Sequence, residues 1–317
     1  MQLTPIIPFE PMSTDTIPQG NQWMAQIKWD GVRILTYYDG KVVRLFNRRL
    51  NERTNHYPEL QNINHFCNAD SVILDGEIIA LGPNGKPSFH EVMRRDGLRR
   101  LEKVSQVQSQ VPISYMIFDI VFHNGEWVNH QSLQWRLELL QKIIKSNETV
   151  QLVTSYENSE HLFQIIKEQE MEGIVIKDKE SKYIIGGKNN HWQKRKYYRD
   201  VIAVVGGVTL RDGTVNALIL GLYDNQGNLW YIGHAGTGKL KKEDWRTLTQ
   251  EISTIIIKER PFINKPERMK EAIWLKPYLT VKVQFSEWTP GHTLRHPSIQ
   301  SFMDLPPEQC LLELKMF

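Results

Sequence analysis

The chain has 317 residues, 40% hydrophobic and 24% charged, and its 39 basic and 36 acidic side chains leave a net charge of +3. This is the composition of a soluble globular protein long enough for two domains, each with a core, and a charged partner has to be argued from local clusters. Cys67 and Cys310 stand far apart and match no zinc-ligand spacing, and residues 1–12 carry no basic flank with a long apolar run. No disulfide framework, signal peptide or membrane span is expected from these features, and a cytoplasmic protein is.

Residues 23–38 and 41–46 read as a β-hairpin closed by Asp39-Gly40. Residues 72–81 and 113–122 are apolar, β-rich runs that end at turn signals. Residues 132–145 have helical apolar spacing behind a Ser132 cap, residues 159–169 repeat that pattern, and residues 173–177 return to strand. The order predicts a mixed α+β domain with largely antiparallel sheet. Beyond Tyr198, strands are predicted at 201–208, 216–223, 229–233 and 279–288, with one helix over 242–257. Short strands with Gly and Asn turns around a single helix suggest a small barrel, for which an OB-fold is one of the few five-stranded options. The expected domains are 1–199 and 200–317.

Within the first of these, Lys28-Trp29-Asp30-Gly31-Val32-Arg33 lies in a largely apolar run. Partial burial and nearby cations favour a neutral lysine amine, a nucleophile toward an electrophile such as phosphorus. Asp30 would orient that amine, and Gly31 would let the backbone approach a nucleotide. The same residues also fit a plain buried ion pair. Asp75 and Glu77 flank Gly76, and Glu172 precedes the strand that carries Lys177. With Asp30 these acids either gather around one nucleotide, holding Mg²⁺ and the ribose, or stand as solvated strand-end residues. Residues 188–199 interleave Trp192, Tyr197 and Tyr198 with basic side chains, which suits phosphate contact plus stacking and equally a charged linker. Arg94, Arg95, Arg99, Arg100 and Lys103 fit either a grip on nucleic acid or a solvated helix face. Gly233 to Lys239 matches the start of a phosphate-binding loop, but Leu240 replaces the hydroxyl residue and no parallel βαβ unit surrounds it, so a barrel turn is expected. His65, His90, His123 and His296 share no metal spacing, and no G-x-S-x-G elbow occurs.

Taken in order, these segments resemble the covalent nucleotidyltransferases, and most closely the ATP-dependent DNA ligases of the bacterial end-joining (ligase D) type. Lys28 to Arg33 resembles their first motif, Asn47-Arg48 the segment with a ribose- and phosphate-contacting arginine, and Asp75-Gly76-Glu77 the third motif. Tyr115 to Asp119 resembles the strand whose phenylalanine, here Phe118, stacks on adenine. Glu172 to Lys177 resembles the fourth motif, and Trp192 to Lys196 the fifth, W-x-K-x-K. Tyr231 to Gly238 and Phe285 to Ser298 resemble the OB domain of the same group.

The resemblance implies a nucleotidyltransferase domain with mostly antiparallel sheets followed by a small all-β OB-fold barrel. It implies that Lys28 becomes adenylylated from ATP, with Lys194, Lys196 and Asp30 as further catalytic residues. Gln26, Ile27, Arg33, Arg48, Glu77, Phe118, Lys177 and Trp192 would bind the nucleotide, and Glu172 with Glu77 would hold Mg²⁺, or Mn²⁺ in its place. Lys194 and Lys196 are expected to favour the neutral Lys28 amine and to stabilise charge on the phosphate. Arg94, Arg95 and Arg295 are the expected DNA contacts. The partner would be nicked or broken duplex DNA, sealed in repair, recombination or non-homologous end joining, with a Ku-like end-binding protein as recruiter. A monomer associated with the nucleoid is expected, either free-standing or excised from a longer chain.

Two positions depart from the family pattern. Gln26 replaces a glutamate that accepts from the adenine amino group, and a glutamine oxygen can still accept that bond. The sixth motif, normally R-x-D-K, reads Phe302-Met303-Asp304-Leu305. Losing one electrostatic donor costs on the order of 10²–10³ in rate, so slow self-adenylylation is expected unless Arg295, Lys239 or Lys315 substitutes. The alternatives are an RNA ligase, a capping-type guanylyltransferase, or a nick- or end-binding protein impaired in self-adenylylation. An NAD-dependent ligase does not fit, since no four-cysteine zinc site is present and the stretch before Lys28 is short.

Overall fold

The structure, a computed structural model, describes residues 3–267 and 271–312, and Lys315 lies outside them. The chain divides into two compact units, Met1–Tyr197 and Tyr198–Phe317. In the first, the elements in chain order are β1 (Glu10–Ser13), β2 (Trp23–Ile27), β3 (Val32–Tyr38), β4 (Val43–Asn47), β5 (Val72–Ile79), α1 (Phe89–Asp96), α2 (Val104–Gln110), β6 (Ser114–His123), β7 (Glu126–Trp127), α3 (Leu133–Ile143), β8 (Val150–Leu152), β9 (Ser155–Tyr156), α4 (Ser159–Glu168), β10 (Gly173–Asp178) and β11 (Lys188–Lys196). One sheet has the order β1-β11-β10-β2-β9, and the other β4-β3-β5-β6-β7 with β8 added beside β6. Among the described strands of this unit, β1–β11 and β6–β8 pair in parallel and the rest antiparallel.

The strand expected over 23–38 is two strands in different sheets. β2 pairs with β10, β3 pairs with β4 and β5, and residues 28–31 carry the chain between the sheets. Gly31 permits that passage, because a Cβ there would lie 2.1 Å from the Ile78 carbonyl oxygen. Its missing side chain thus serves the close packing of the protein backbone. The hairpin turn after β3 does form, with Asp39 Oδ1 accepting from the backbone N–H groups of Lys41 and Val42.

Ser132 and Asn158 cap α3 and α4 by accepting from the N–H groups of Trp135 and His161, each worth about 1 kcal/mol. α1 carries Arg94 and Arg95 of the basic cluster on a helix, whereas Arg99, Arg100 and Lys103 lie between α1 and α2. Where β6 meets β5, Ile117 pairs with Gly76 and Asp119 with Asp75, so Phe118 is the extra residue of a β-bulge. A bulge re-aims one side chain, and here it is an aromatic ring.

The second unit contains β12 (Arg199–Arg211), β13 (Thr214–Tyr223), β14 (Leu229–Ala235), α5 (Lys242–Glu251), β15 (Ala272–Trp274), β16 (Thr280–Phe285), β17 (Glu287–Trp288), β18 (Leu294–Arg295) and β19 (Ser298–Met303). Its principal sheet has the order β14-β13-β12-β16-β19. A parallel bridge between Gly238 and Ile299 joins the two ends and closes the barrel in OB-fold order. α5 ends at Glu251 in a short 3₁₀ turn, earlier than its apolar spacing suggests.

The glycine-rich run Gly233 to Lys239 is this closure. Lys239 N–H donates to the Ile299 carbonyl and Ile299 N–H to the Thr237 carbonyl, both at 2.8 Å. Gly238 has φ +148°, and a Cβ on it would lie 2.0 Å from Ile299 O. Gly238→Ala is therefore expected to destabilise the barrel by about 2 kcal/mol or more. The check is the urea midpoint of unfolding, and an unchanged midpoint would show that the closure tolerates a side chain.

Candidate active site

Strand register assembles the site on the inner face of the first sheet. Directly paired residues project to one side and alternate residues share a face. Lys177 pairs with Met24 and Trp192, Val175 with Gln26 and Lys194, and Gly173 with Lys196, while Lys28 N–H donates to the Gly173 carbonyl. Three rows result, Met24–Lys177–Trp192, Gln26–Val175–Lys194 and Lys28–Gly173–Lys196, roughly 7 Å apart along the strands.

In the last row, Glu172 bridges two lysines. Lys28 Nζ donates to Oε2 at 2.6 Å, and Lys196 Nζ lies 2.7 Å from Oε1. Burial pushes the Glu172 carboxyl up, and the two ammonium groups more than reverse this, holding it below its usual value. Lys194 bears no such pair, and burial, Lys28 and Lys196 hold its amine below the ordinary lysine value. Lys196 thus acts on Lys28 through a shared carboxylate, whereas Lys194 acts as a like charge.

The second sheet contributes Arg33, Asp75, Glu77 and Phe118. Arg33 donates to Asp75 from Nε at 2.9 Å and Nη2 at 2.5 Å, and Tyr183 Oη donates to Asp75 Oδ2 at 2.6 Å. Arg33 is thus held in a structural clamp, with its guanidinium 5.2 Å from the Phe118 ring centroid. Burial pushes the Glu77 carboxyl up to about 8, against the pull of Lys28 and Arg33. Asp30 lies half-buried in the crossover between the sheets.

Lys177 is the least compensated group. It is 2% exposed, its Nζ has no hydrogen-bond partner among the described residues, and it lies 4.6 Å from the Phe118 centroid and 4.0 Å from that of Trp192. Burial pushes its amine down to about 7. Phe118 itself is only partly buried, whereas the Lys177 amine lies beneath it, out of contact with solvent. Behind it, Arg136 and Asp119 form a fully buried bidentate pair that ties α3 to the bulged strand.

Several expected site residues are placed otherwise. Ile27 turns to the opposite face, with Ala25, Ile174 and Ile176 against α4, because it is one residue out of phase with Lys28. Trp192 is 1% exposed, its Nε1 donates to Ser181 Oγ, and Phe9 and Tyr183 pack against it, so it is a wall behind Lys177 rather than a ligand contact. Arg95 cannot reach DNA: it is 0% exposed and donates to Glu59 and the His56 carbonyl. The helical spacing of Val92, Arg95 and Asp96 was the available signal. Arg94 stays exposed beside Glu91, Arg48 is exposed and lies 3.4 Å from Glu10, and Arg295 is paired with Glu287. Ser155, which no sequence signal marks, lies opposite Gln26 on β9 and accepts from its Nε2 at 3.1 Å. Among the described residues no three His, Cys, Asp or Glu gather as a metal cage, and no helix is long and apolar enough to cross a membrane.

A lysine among cations and carboxylates, beside an aromatic-bordered cleft and followed by an OB barrel, defines a nucleotidyltransferase with an appended OB domain. Residues 11–196 match the ATP dependent DNA ligase domain and residues 211–304 the ATP dependent DNA ligase C terminal region. The chain belongs to the ATP-dependent DNA ligase family. It is 28% identical over 310 residues to a DNA ligase of Nitrosopumilus maritimus, covering 89% of this chain and 52% of that protein. It is also 28% identical over 286 residues to the multifunctional non-homologous end joining DNA repair protein LigD of Mycobacterium tuberculosis, covering 88% of this chain and 36% of that one. The chain thus spans about half or less of these curated relatives. The ligase domain of M. tuberculosis LigD is similar in structure, with TM-score 0.52, 26% identity, and coverage of 97% of this chain and 98% of that one. A Lig E DNA ligase shares the fold at TM-score 0.60 and 17% identity, covering 95% and 100% of the two chains.

The lone Lys177 amine has a measurable consequence. Its value falls from 10.5 to about 7 on folding, so between those values the unfolded chain binds the extra proton and stability rises with pH. Lys177→Met removes this contribution. The stability advantage of the variant over wild type should shrink as pH rises above about 7, by up to about 1.4 kcal/mol per pH unit. Urea titrations of nucleotide-free protein across that range test it, and a constant difference would contradict it.

Proposed function

We propose that this chain is the catalytic core of an ATP-dependent DNA ligase that seals nicks through a lysyl-AMP intermediate on Lys28. Residues 1–199 would form the adenylylation domain and residues 200–317 the OB-fold domain that holds DNA. The observation that carries the reading is the shared face: Lys28 with Glu172, Lys196 and Lys194 at one end, and the unpartnered Lys177 amine beside the bulged Phe118 at the other.

A purine stacked on Phe118 would offer ring nitrogens as the acceptor that Lys177 lacks. Its triphosphate would then run along the rows toward Lys194, Lys28 and Lys196. The donor set suits a hard divalent cation that arrives with phosphates, since Glu172 and Glu77 supply two carboxylates and such ions need no all-protein cage. Bound Mg²⁺, or Mn²⁺, would act as a Lewis acid on the phosphate. Lys28 Nζ, released from Glu172, attacks the α-phosphorus. An N–P bond forms, the bond to the bridging oxygen breaks, pyrophosphate leaves, and the amine proton passes to water. Lys194 and Lys196 stabilise the charge that develops on the phosphate oxygens. AMP then passes to a 5′-phosphate at a nick, and the 3′-hydroxyl displaces it to close the strand. Covalent relay divides one difficult condensation into easier steps. The similarity to the non-homologous end joining DNA repair protein LigD supports break repair as the setting, and a Ku-like protein is the recruiter expected there.

The test begins with protein stripped of AMP by pyrophosphate. With α-labelled ATP and Mg²⁺, wild type should take up label and Lys28→Ala none, and nicked duplex should then remove the label from wild type. Absence of labelling in a protein that still binds nicked DNA would leave only a nick-binding role. Sealing, in contrast to self-labelling, should fall at least about tenfold between roughly 50 and 200 mM salt, because phosphate contacts release counterions. Salt-independent sealing would argue against an electrostatic DNA grip.

A further inference from the structure

Gln26 occupies the middle row, between the row of Lys177 and the row of Lys28. Its side chain is 1% exposed, and its amide nitrogen donates to the hydroxyl of Ser155, an exposed residue on the edge strand. A hydroxyl both donates and accepts. The Gln26 amide can therefore turn over, with Oε1 receiving the serine proton and Nε2 facing the cleft, and lose no hydrogen bond. In one orientation the pair presents an acceptor, and in the other a donor. Lys177, unpartnered on the adjacent row with its amine pushed to about 7, likewise accepts as well as donates once neutral.

We propose that Gln26 and Ser155 form a reversible reader of the purine edge, so that Lys28 is charged by a 6-oxopurine as well as a 6-aminopurine nucleoside triphosphate. This rests on the nucleotide-transfer reading above. A 6-amino group donates and meets the Oε1-inward orientation, whereas a 6-oxo group accepts and meets the Nε2-inward one. A carboxylate at position 26 would accept only, and would reject the oxo group by leaving two acceptors face to face. Ser155 is a positioning residue here, acting on the base through the amide it orients.

The experiment compares α-labelled ATP and GTP on AMP-stripped protein, reading the ratio of the two labelling rates so that general losses of activity cancel. Wild type should label with both, at rates within about tenfold, because the pair pays no fixed penalty against either base. Ser155→Asp accepts only, which holds Nε2 toward the edge strand and Oε1 toward the base, and should raise the ATP-to-GTP ratio about tenfold. Ser155→Lys donates only and should lower it by a similar factor. Gln26→Glu should raise it as Ser155→Asp does. Opposite shifts from one exposed position are not produced by a merely structural role. Wild type that labels with ATP but more than about a hundredfold slower with GTP overturns this inference alone, as does a ratio unmoved by both Ser155 variants. Wild type that fails to label with ATP overturns the ligase reading itself.

Discussion

Everything at the candidate site depends on how the chain crosses from one sheet to the other. Residues 28–31 make the passage, and the Ile78 carbonyl leaves no room for a side chain at Gly31. Because the crossing is so short, Lys28 at the end of one sheet and Arg33 at the start of the other remain within one cleft. Because strand faces alternate, the residues two and four before Lys28 share its face, while Ala25 and Ile27 serve the core against α4. Sequence spacing on one strand becomes a two-dimensional array once β10 and β11 pair beside it.

Charge compensation then sets the shape of the cleft. Asp119 with Arg136, and Asp75 with Arg33 and Tyr183, are neutralised by bidentate contacts in the interior. Breaking such a buried pair costs about 3–5 kcal/mol, so these contacts fix the strand that carries Phe118 and the crossover that carries Lys28. Glu172 is satisfied by Lys28 and Lys196 together, and its release would free both amines at once. Lys177 has no comparable partner. Its amine has only the rings of Phe118 and Trp192 beside it, in contrast to the carboxylate partners of Lys28, Lys196, Arg33 and Arg136.

The motif residues were legible because they lie at strand ends and turns, where polarity stands out against apolar runs. Lys28, Glu172 and Lys196, drawn from three separate motifs, meet in one ion-paired cluster, and turn residues mark β12, β13, β14 and β16 but not β19, which closes the barrel. Ile27 and Trp192 differ from expectation for two reasons. Ile27 is one residue out of phase with Lys28, and a shift of one residue inverts the face, whereas Trp192 shares the face of Lys177 but is covered by Phe9 and Tyr183. Arg95 was misread because a run of basic residues hides helical periodicity, which sends every third or fourth one inward. At the sixth motif the missing cations are real: Phe302 and Met303 pair with Val281 and Thr280 in the barrel wall.

By itself the sequence determined the order of the elements, the two-domain chain and the chemistry available in each motif, since these follow from local polarity and turn residues. Only the tertiary structure decided which cation shares Glu172 with Lys28, that Arg33 is spent on Asp75, that Lys177 has no partner, and that Ser155 stands against Gln26. The contacts among these join residues 24 to 144 positions apart, made by strand pairing and sheet facing. Local pattern carries no information about them, because burial, desolvation and hydrogen-bond partnership are properties of the packed molecule and not of any one segment.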